Sequence, residues 1–567
     1  MTIRKLTLLL PLLLIGCDQS SNQPPKTKTN IALSEAKKIP EAVAVDAINL
    51  DSLTQHIKIL ASDEFGGRAP ASPGETLTIQ YIEDEFKKAG VMPGNGNSYT
   101  QKVPLASVEV TNKPTLVISG TQGELLELKY STEQVVGTRQ QVDGVSIDGS
   151  ELVFVGYGIN APERNWNDYA DIDVKGKTVV MLVNDPGYAT QDPNLFNGNA
   201  MTYYGRWDYK FDEAGRQGAA AAIIIHSTKP AAYGWSTVKN SWTGPQFDMV
   251  REDRIAGLSS IEGWITTESA TALFEKAGLN LEEMYDKAKV PGFEAVDLDL
   301  KASVSLQNKL AFIDSNNVIG MVKGSESPDE VFIYMAHWDH LGTDKNIEGD
   351  GIYNGALDNA TGTAGLLEIA KAYAKTNPKR SVVFIAVTAE EQGLLGSAYY
   401  ANHPIFPLAK TIGGINMDGL NNFGPTNDVT VIGLGMSQID GYLEKQAKMQ
   451  SRVLKPDAEA EKGYFYRSDH FELSKLGVPM SYPNSGYDHR EKGVAYGVEK
   501  AAEYIKNHYH GPSDEYNSNW DLTGAVEDLQ LYFLAGQDIV NSGDWPEWNE
   551  GTEFKAMRDE QMKISGN

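Results

Sequence analysis

A chain of 567 residues, 41% of them hydrophobic, has room for two or three domains and a large core. A formal net charge of -26 argues against nucleic acid as a partner, because binding phosphate needs a basic face. The single cysteine excludes a disulfide framework, and no stretch beyond the first residues is apolar for long enough to cross a bilayer.

Arg4 and Lys5 precede an apolar run over residues 6–15, too short for a membrane span and suited to a signal peptide. The run ends in Leu-Ile-Gly-Cys, which resembles the bacterial lipobox. That resemblance implies that residues 1–17 are a lipoprotein signal and that Cys17 is the lipidated residue. The chain would then be held to the bilayer of the bacterial cell envelope, facing the periplasm. Asp18, directly after the cysteine, favours the inner membrane. An ordinary signal peptide with a chance cysteine is the alternative. Residues 18–45, rich in Ser, Asn, Gln, Pro, Lys and Thr, read as a flexible tether.

In residues 48–61 the apolar positions Leu50, Leu53, Ile57 and Leu60 recur at helical spacing. The turn-rich loop SDEFGGRAPASPG follows, then a second amphipathic helix over residues 76–89 that Gly90 closes. Residues 46–136 read as the first part of a domain interrupted by an insertion over residues 137–304. The insertion carries ELVFVGYGI, DVKGKTVVMLVND, a helix near residues 209–218 and AAAAIIIHS, a small β-rich module. Its His226 reads as structural. Trp235 and Trp242 lie in a polar, aromatic loop that either anchors itself or reaches a neighbouring site. From residue 305 to 567 strands and helices alternate, with apolar strands at residues 317–322, 331–336, 381–388, 411–417, 429–432 and 478–481. Strands without polar alternation, separated by helices, imply an α/β fold with a mainly parallel sheet covered on both faces.

Three of these runs stop at residues that bind metals or move protons. Residues 331–336 end at His337, Trp338, Asp339 and His340, residues 381–388 at Glu390 and Glu391, and residues 411–417 at Asp418. Asp358 lies in the loop DGIYNGALDNATGTAG before a helix, and His510 in NHYHGPSDE. In open α/β sheets, sites form beyond the carboxyl ends of the strands, so these residues converge on one rim. Two imidazoles and three carboxylates suit zinc, and five side chains are too many for one catalytic zinc. They suit two ions if one carboxylate bridges. Two ions ~3.5–4 Å apart lower the pKa of a shared water and polarise a carbonyl. Of the adjacent Glu390 and Glu391, only one need bind metal, and the other can act as general base. Asp339, two residues after His337, can accept the free ring N–H and orient that imidazole. Each motif alone has an ordinary structural meaning, such as a surface Glu pair or an Asp helix cap. Their order and their positions at strand ends argue for a site. No phosphate loop and no G-x-S-x-G elbow occurs, which disfavours nucleotide binding and serine hydrolysis.

AHWDHLG, GALDNATG, TAEEQGLLGS, INMDG and YHGPSDE resemble the zinc aminopeptidase family that includes bacterial leucyl aminopeptidases, aminopeptidase Y and glutamate carboxypeptidase. The motifs cover residues 331–516, and ASDEFGGRAPASPG is similar as well. The resemblance implies two zinc ions per chain, with His337 and Asp418 on one, Glu391 and His510 on the other and Asp358 bridging. It implies Glu390 as base, Asp339 as the histidine orienter and a cis peptide between Asp358 and Asn359. The insertion resembles the protease-associated domain. In YFYRSDHFELSKLGVP the family has a tyrosine beside the substrate carbonyl. Tyr464 and Tyr466 both compete for that role, and Tyr466 is favoured.

These readings converge on a lipid-anchored two-zinc exopeptidase, an aminopeptidase that releases N-terminal residues from peptides, with Glu390 as base. Carboxypeptidase or dipeptidase action, for which Arg467 and Arg490 are the candidate carboxylate partners, is the alternative. So are a single-zinc glutaminyl cyclase and a non-catalytic binding protein on the same fold.

Overall fold

The computed structural model describes residues 44–121 and 123–565. Cys17, Asp18 and most of the tether lie outside the described residues. Six strands position the site: β1 (Thr100–Val110), β2 (Val296–Val322), β3 (Ser327–His337), β4 (Arg380–Val387), β5 (Thr411–Asn416) and β6 (Met480–Ser485). Their spatial order is β1-β2-β4-β3-β5-β6. β4, β3, β5 and β6 are mutually parallel, while β2 runs antiparallel to both β4 and β1.

Every residue of β4, RSVVFIAV, is buried, as a strand covered on both faces requires. β3 shows how one strand feeds two cores. Phe332, Tyr334 and Ala336 enter one core with the helices α1 (Leu50–Leu60), α2 (Pro73–Ala89), α3 (Thr361–Tyr373) and α4 (Thr523–Asn541). Val331, Ile333 and Met335 enter the other, against Tyr400 and Leu473 from short helices on the opposite face. The α/β architecture with a mainly parallel sheet and helices on both faces is therefore present.

β2 extends over 27 residues, far beyond the expected segment at 317–322, and serves two sheets. Its second half pairs with β1 and β4. Its first half pairs with Leu116–Gly120 and Gly144–Phe154, which belong to the insertion. There Gly144–Phe154, Thr178–Leu182, Ala221–Ile225 and Ile261–Ile265 form a parallel run with cores of its own. Because Leu116–Gly120 pairs into this second sheet, the insertion opens just after β1 rather than at residue 137. One strand of the insertion, Pro245–Met249, returns to pair with β1.

His226 is structural as expected: its Nε2 lies 3.0 Å from Tyr233 O, and burial lowers its pKa. Trp235 donates from Nε1 to Ser131 O at 3.2 Å, and Trp242 packs edge-on against Trp207 and Phe211, so both anchor the insertion. Residues 484–507 contain a helix, Gly493–Asn507, on which Val494, Val498, Ala501 and Ile505 recur at helical spacing although only Gly497 is buried. A last helix, Lys555–Ser565, was also not foreseen. No helix among the described residues is long and apolar enough to cross a membrane.

Candidate metal centre

Parallel pairing brings the carboxyl ends of β3, β4 and β5 to one edge. His337 is the last residue of β3, Glu390 and Glu391 follow β4, and Asp418 follows β5. Asp358 enters from the turn before α3 and is joined to Asn359 by a cis peptide bond, as the resemblance implied. Asn359 ties that turn to the end of β5: its Nδ2 donates to Met417 O at 3.0 Å, and its Oδ1 accepts from Gly419 N at 3.0 Å. Gly355 in the same turn has φ 55°, and a Cβ there would stand 2.5 Å from the His340 ring, so glycine is required.

The five expected ligands meet around Asp358. Its Oδ1 lies 3.3 Å from His337 Nε2, and the same nitrogen lies 3.2 Å from Asp418 Oδ1. Its Oδ2 lies 3.2 Å from His510 Nε2, which in turn lies 3.1 Å from Glu391 Oε2. One carboxylate thus faces two imidazoles, one through each oxygen. Donor atoms of His337, Asp358 and Asp418 lie within 4.8 Å of one another, and so do those of His340, Asp358 and Glu391. The imidazole and carboxylate donors suit zinc.

The electrostatics agree with a site built around positive charge. For Asp358, burial alone would raise the pKa, but hydrogen bonds from His337 and His510 hold it well below the ordinary value. Burial and Asp358 push Glu391 up, and His340 and His510 outweigh them to bring it down. His510 is lifted to about 10 by Asp358 and Glu391 against the effect of burial. Glu390 is the exception. Burial first, then Asp418 and Glu391, raise it well above the ordinary range, so it takes up a proton readily. It lines a cavity of about 390 Å³ together with Asp358 and Asp418.

Asp339 differs in part from expectation. His337 Nδ1 lies 3.1 Å from the main-chain oxygen of Asp339, whereas the carboxylate stands 3.9 Å away. The carboxylate instead accepts from the backbone N–H groups of Glu390 at 3.1 Å and Glu391 at 3.4 Å. It therefore couples the end of β3 to the end of β4 and sets where both glutamates start.

Tyr466 does not reach the site, which corrects the expectation that it faces a substrate carbonyl. Gly463 leads into a tight turn over Tyr464–Tyr466 that sends neighbouring side chains apart. The Tyr466 hydroxyl donates to Glu553 Oε1 at 2.7 Å, and its ring packs with Phe465, Phe471 and Tyr203. Several tyrosines line the cavity, Tyr464 and Tyr509 among them, and Tyr482 on β6 lines it too and donates to Asp418 O at 3.4 Å. The sequence offered no signal for it beyond a polar residue in an apolar strand.

Other supports also went unread. Arg68, from the ASDEFGGR loop, is 1% exposed and donates to four carbonyls: Trp338 from Nε at 2.9 Å, Leu60 and Asn354 from Nη1 at 2.6 Å each, and Gly355 from Nη2 at 2.8 Å. It clamps the segment after His337 to the turn that carries Asp358. Asp514 of the GPSDE motif accepts from Leu357 N at 3.0 Å and Asp358 N at 3.1 Å, holding the same turn from the other side. Ser468 does more than open a helix: it donates to Asp418 Oδ2 at 2.7 Å. Trp338 is buried as expected, with Nε1 donating to Asn316 O at 3.0 Å. His340 is buried with Nδ1 2.6 Å from Glu391 Oε1.

A parallel α/β sheet with such a cluster on its carboxyl rim defines an α/β protein with a cluster that could hold metal ions. Residues 317–534 match the model of peptidase family M28. A probable zinc metalloprotease of Pyricularia oryzae is 32% identical over 151 residues, which cover 26% of this chain and 27% of that protein. Aminopeptidase NAALADL1 of Mus musculus is 33% identical over 138 residues, 23% of this chain and 17% of that protein. The chain thus spans about a quarter or less of the length of these two relatives. Among solved structures, an aminopeptidase from Aneurinibacillus sp. strain AM-1 superposes with a TM-score of 0.49 at 19% identity, covering 89% of this chain and 97% of that one. A zinc aminopeptidase from Bacillus subtilis superposes with a TM-score of 0.41 at 18% identity, covering 87% and 96%.

Proposed function

We propose that the chain is a two-zinc exopeptidase, an aminopeptidase that removes N-terminal residues from peptides. The observation that carries this reading is Asp358: its two oxygens face separate imidazoles, His337 beside Asp418 and His510 beside Glu391. His337 and Asp418 would hold one ion, His510 and Glu391 the other, and Asp358 would span both. Bound zinc would supply a Lewis acid and make water nucleophilic at neutral pH.

Glu390 takes the proton of the attacking water and passes it to the leaving amine, a task suited to a carboxylate with a strong pull on protons. Tyr482, with its hydroxyl at the cavity wall near Asp418, steadies the oxygen of the scissile carbonyl. Asp457 and Glu459 line the same cavity and offer negative charge to a free α-ammonium group.

A panel of free, N-blocked and C-blocked peptides, read by mass, tests the reading. Release of single N-terminal residues that stops on N-blocking supports it. Cleavage that survives N-blocking and stops on C-blocking replaces it with a carboxypeptidase. Two zinc ions per loaded chain are expected, and one firmly bound ion would favour the cyclase reading. We also propose that Cys17 anchors the chain to the envelope. Cys17→Ser should release it from the membrane fraction, and unchanged anchoring would refute the lipobox reading.

A further inference from the structure

The cavity beside the candidate metal centre contains one charge that nothing among the described residues neutralises. Arg467 lines it, one residue before Ser468, which touches Asp418. Its Nε and Nη2 are buried and make no hydrogen bond among the described residues. No carboxylate there lies within ion-pair distance of it either. Its neighbours are ring faces: the guanidinium stands 5.7 Å from the centre of Tyr464 and 6.0 Å from that of Tyr233. Arg206 of the insertion lies close enough to repel it. A buried guanidinium with open donors costs free energy unless something fills them. The other arginine considered for this task, Arg490, is committed, donating to both oxygens of Glu527 at 2.8 and 2.7 Å.

We infer that Arg467 is a carboxylate subsite, so that the preferred substrates are peptides bearing a carboxylate on the C-terminal side of the cut bond. The inference rests on the peptidase reading and deepens it. Guanidinium and carboxylate match in a two-pronged geometry, and the aromatic walls keep water from competing. Two sources share this chemistry: the terminal carboxylate of a dipeptide and an acidic side chain next to the cut. Tyr233 brings the insertion against the Arg467 guanidinium. The insertion therefore completes the subsite.

The test uses the zinc-loaded full chain. Cleavage of Leu-Leu is compared with Leu-Leu-amide, and Leu-Glu-amide with Leu-Gln-amide, in the wild type, Arg467→Met and Arg467→Lys. The wild type should favour the carboxylate member of one pair by at least about tenfold in kcat/KM. Which pair shows the preference identifies the source. Arg467→Met should bring that ratio close to one, and Arg467→Lys should leave an intermediate ratio. No preference in the wild type, or the same ratio in Arg467→Met, overturns the inference. Calorimetric binding of D-Leu-D-Leu and its amide to the same proteins reads the subsite without turnover. If no peptide is cut, the peptidase reading fails on its own, and the Arg467-dependent difference in binding still decides the subsite.

Discussion

His340 Nδ1 stands 2.6 Å from Glu391 Oε1, and both side chains are almost wholly enclosed. Neither ring nitrogen of His340 has a hydrogen-bond partner of good geometry, and neither does that carboxylate oxygen. His340 thus backs the glutamate whose other oxygen faces His510. His340→Ala should weaken metal binding on the His510 side by about 10–100-fold and leave the His337 side nearly unchanged. Zinc titration of the metal-free protein measures this. Two unchanged affinities would mean that His340 only fills space.

Glu390 should be separable from the ligands. Glu390→Gln keeps the shape and loses the base, so both metal sites should load normally while turnover falls by about 10²–10⁴-fold. Metal content and kcat on one preparation decide it. A loss of zinc would make Glu390 a ligand.

The two tyrosines should part company. Tyr466→Phe removes the hydrogen bond to Glu553 and should cost about 1 kcal/mol of stability, with kcat within about twofold of the wild type. Tyr482→Phe should leave stability nearly unchanged and reduce kcat more than it alters KM. Equal kinetic effects from both would return the oxyanion role to the 464–466 turn.

His470 predicts a pH dependence of folding. It is fully enclosed against Phe465 and Tyr482, and burial pushes its pKa down to about 3. An unfolded histidine binds its proton near pH 6.5. Between about pH 6.5 and 3 the unfolded chain holds a proton that the folded chain refuses, so stability is lost as pH falls through that window. The contribution is about 1.4 kcal/mol per pH unit. Urea denaturation across that range should show a shallower slope in His470→Leu. An unchanged slope would mean that the folded site admits the proton.

Most strands of the catalytic region were legible because their apolar runs are long and uninterrupted. Residues 331–336 and 381–388 correspond to the buried parts of β3 and β4 within a few residues. The boundary of the insertion was not, because a strand's sequence does not say which sheet it joins. Leu116–Gly120 is set by its pairing with the far end of β2. The helix Gly493–Asn507 was missed although Val494, Val498, Ala501 and Ile505 recur at helical spacing, and of its residues only Gly497 is buried.

Sequence alone singled out the five candidate ligands and Glu390 as residues that would converge on one rim. Each is placed by covalent proximity to a strand end or a recognisable turn, and parallel strands send such ends to one edge. Tertiary structure alone decided that Tyr482 touches Asp418, that His340 backs Glu391, and that Arg68 and Asp514 brace the turn of Asp358. It also decided that Arg467 is left without a counter-charge among the described residues. These depend on distances between residues tens to hundreds of positions apart, which packing sets and local pattern does not record.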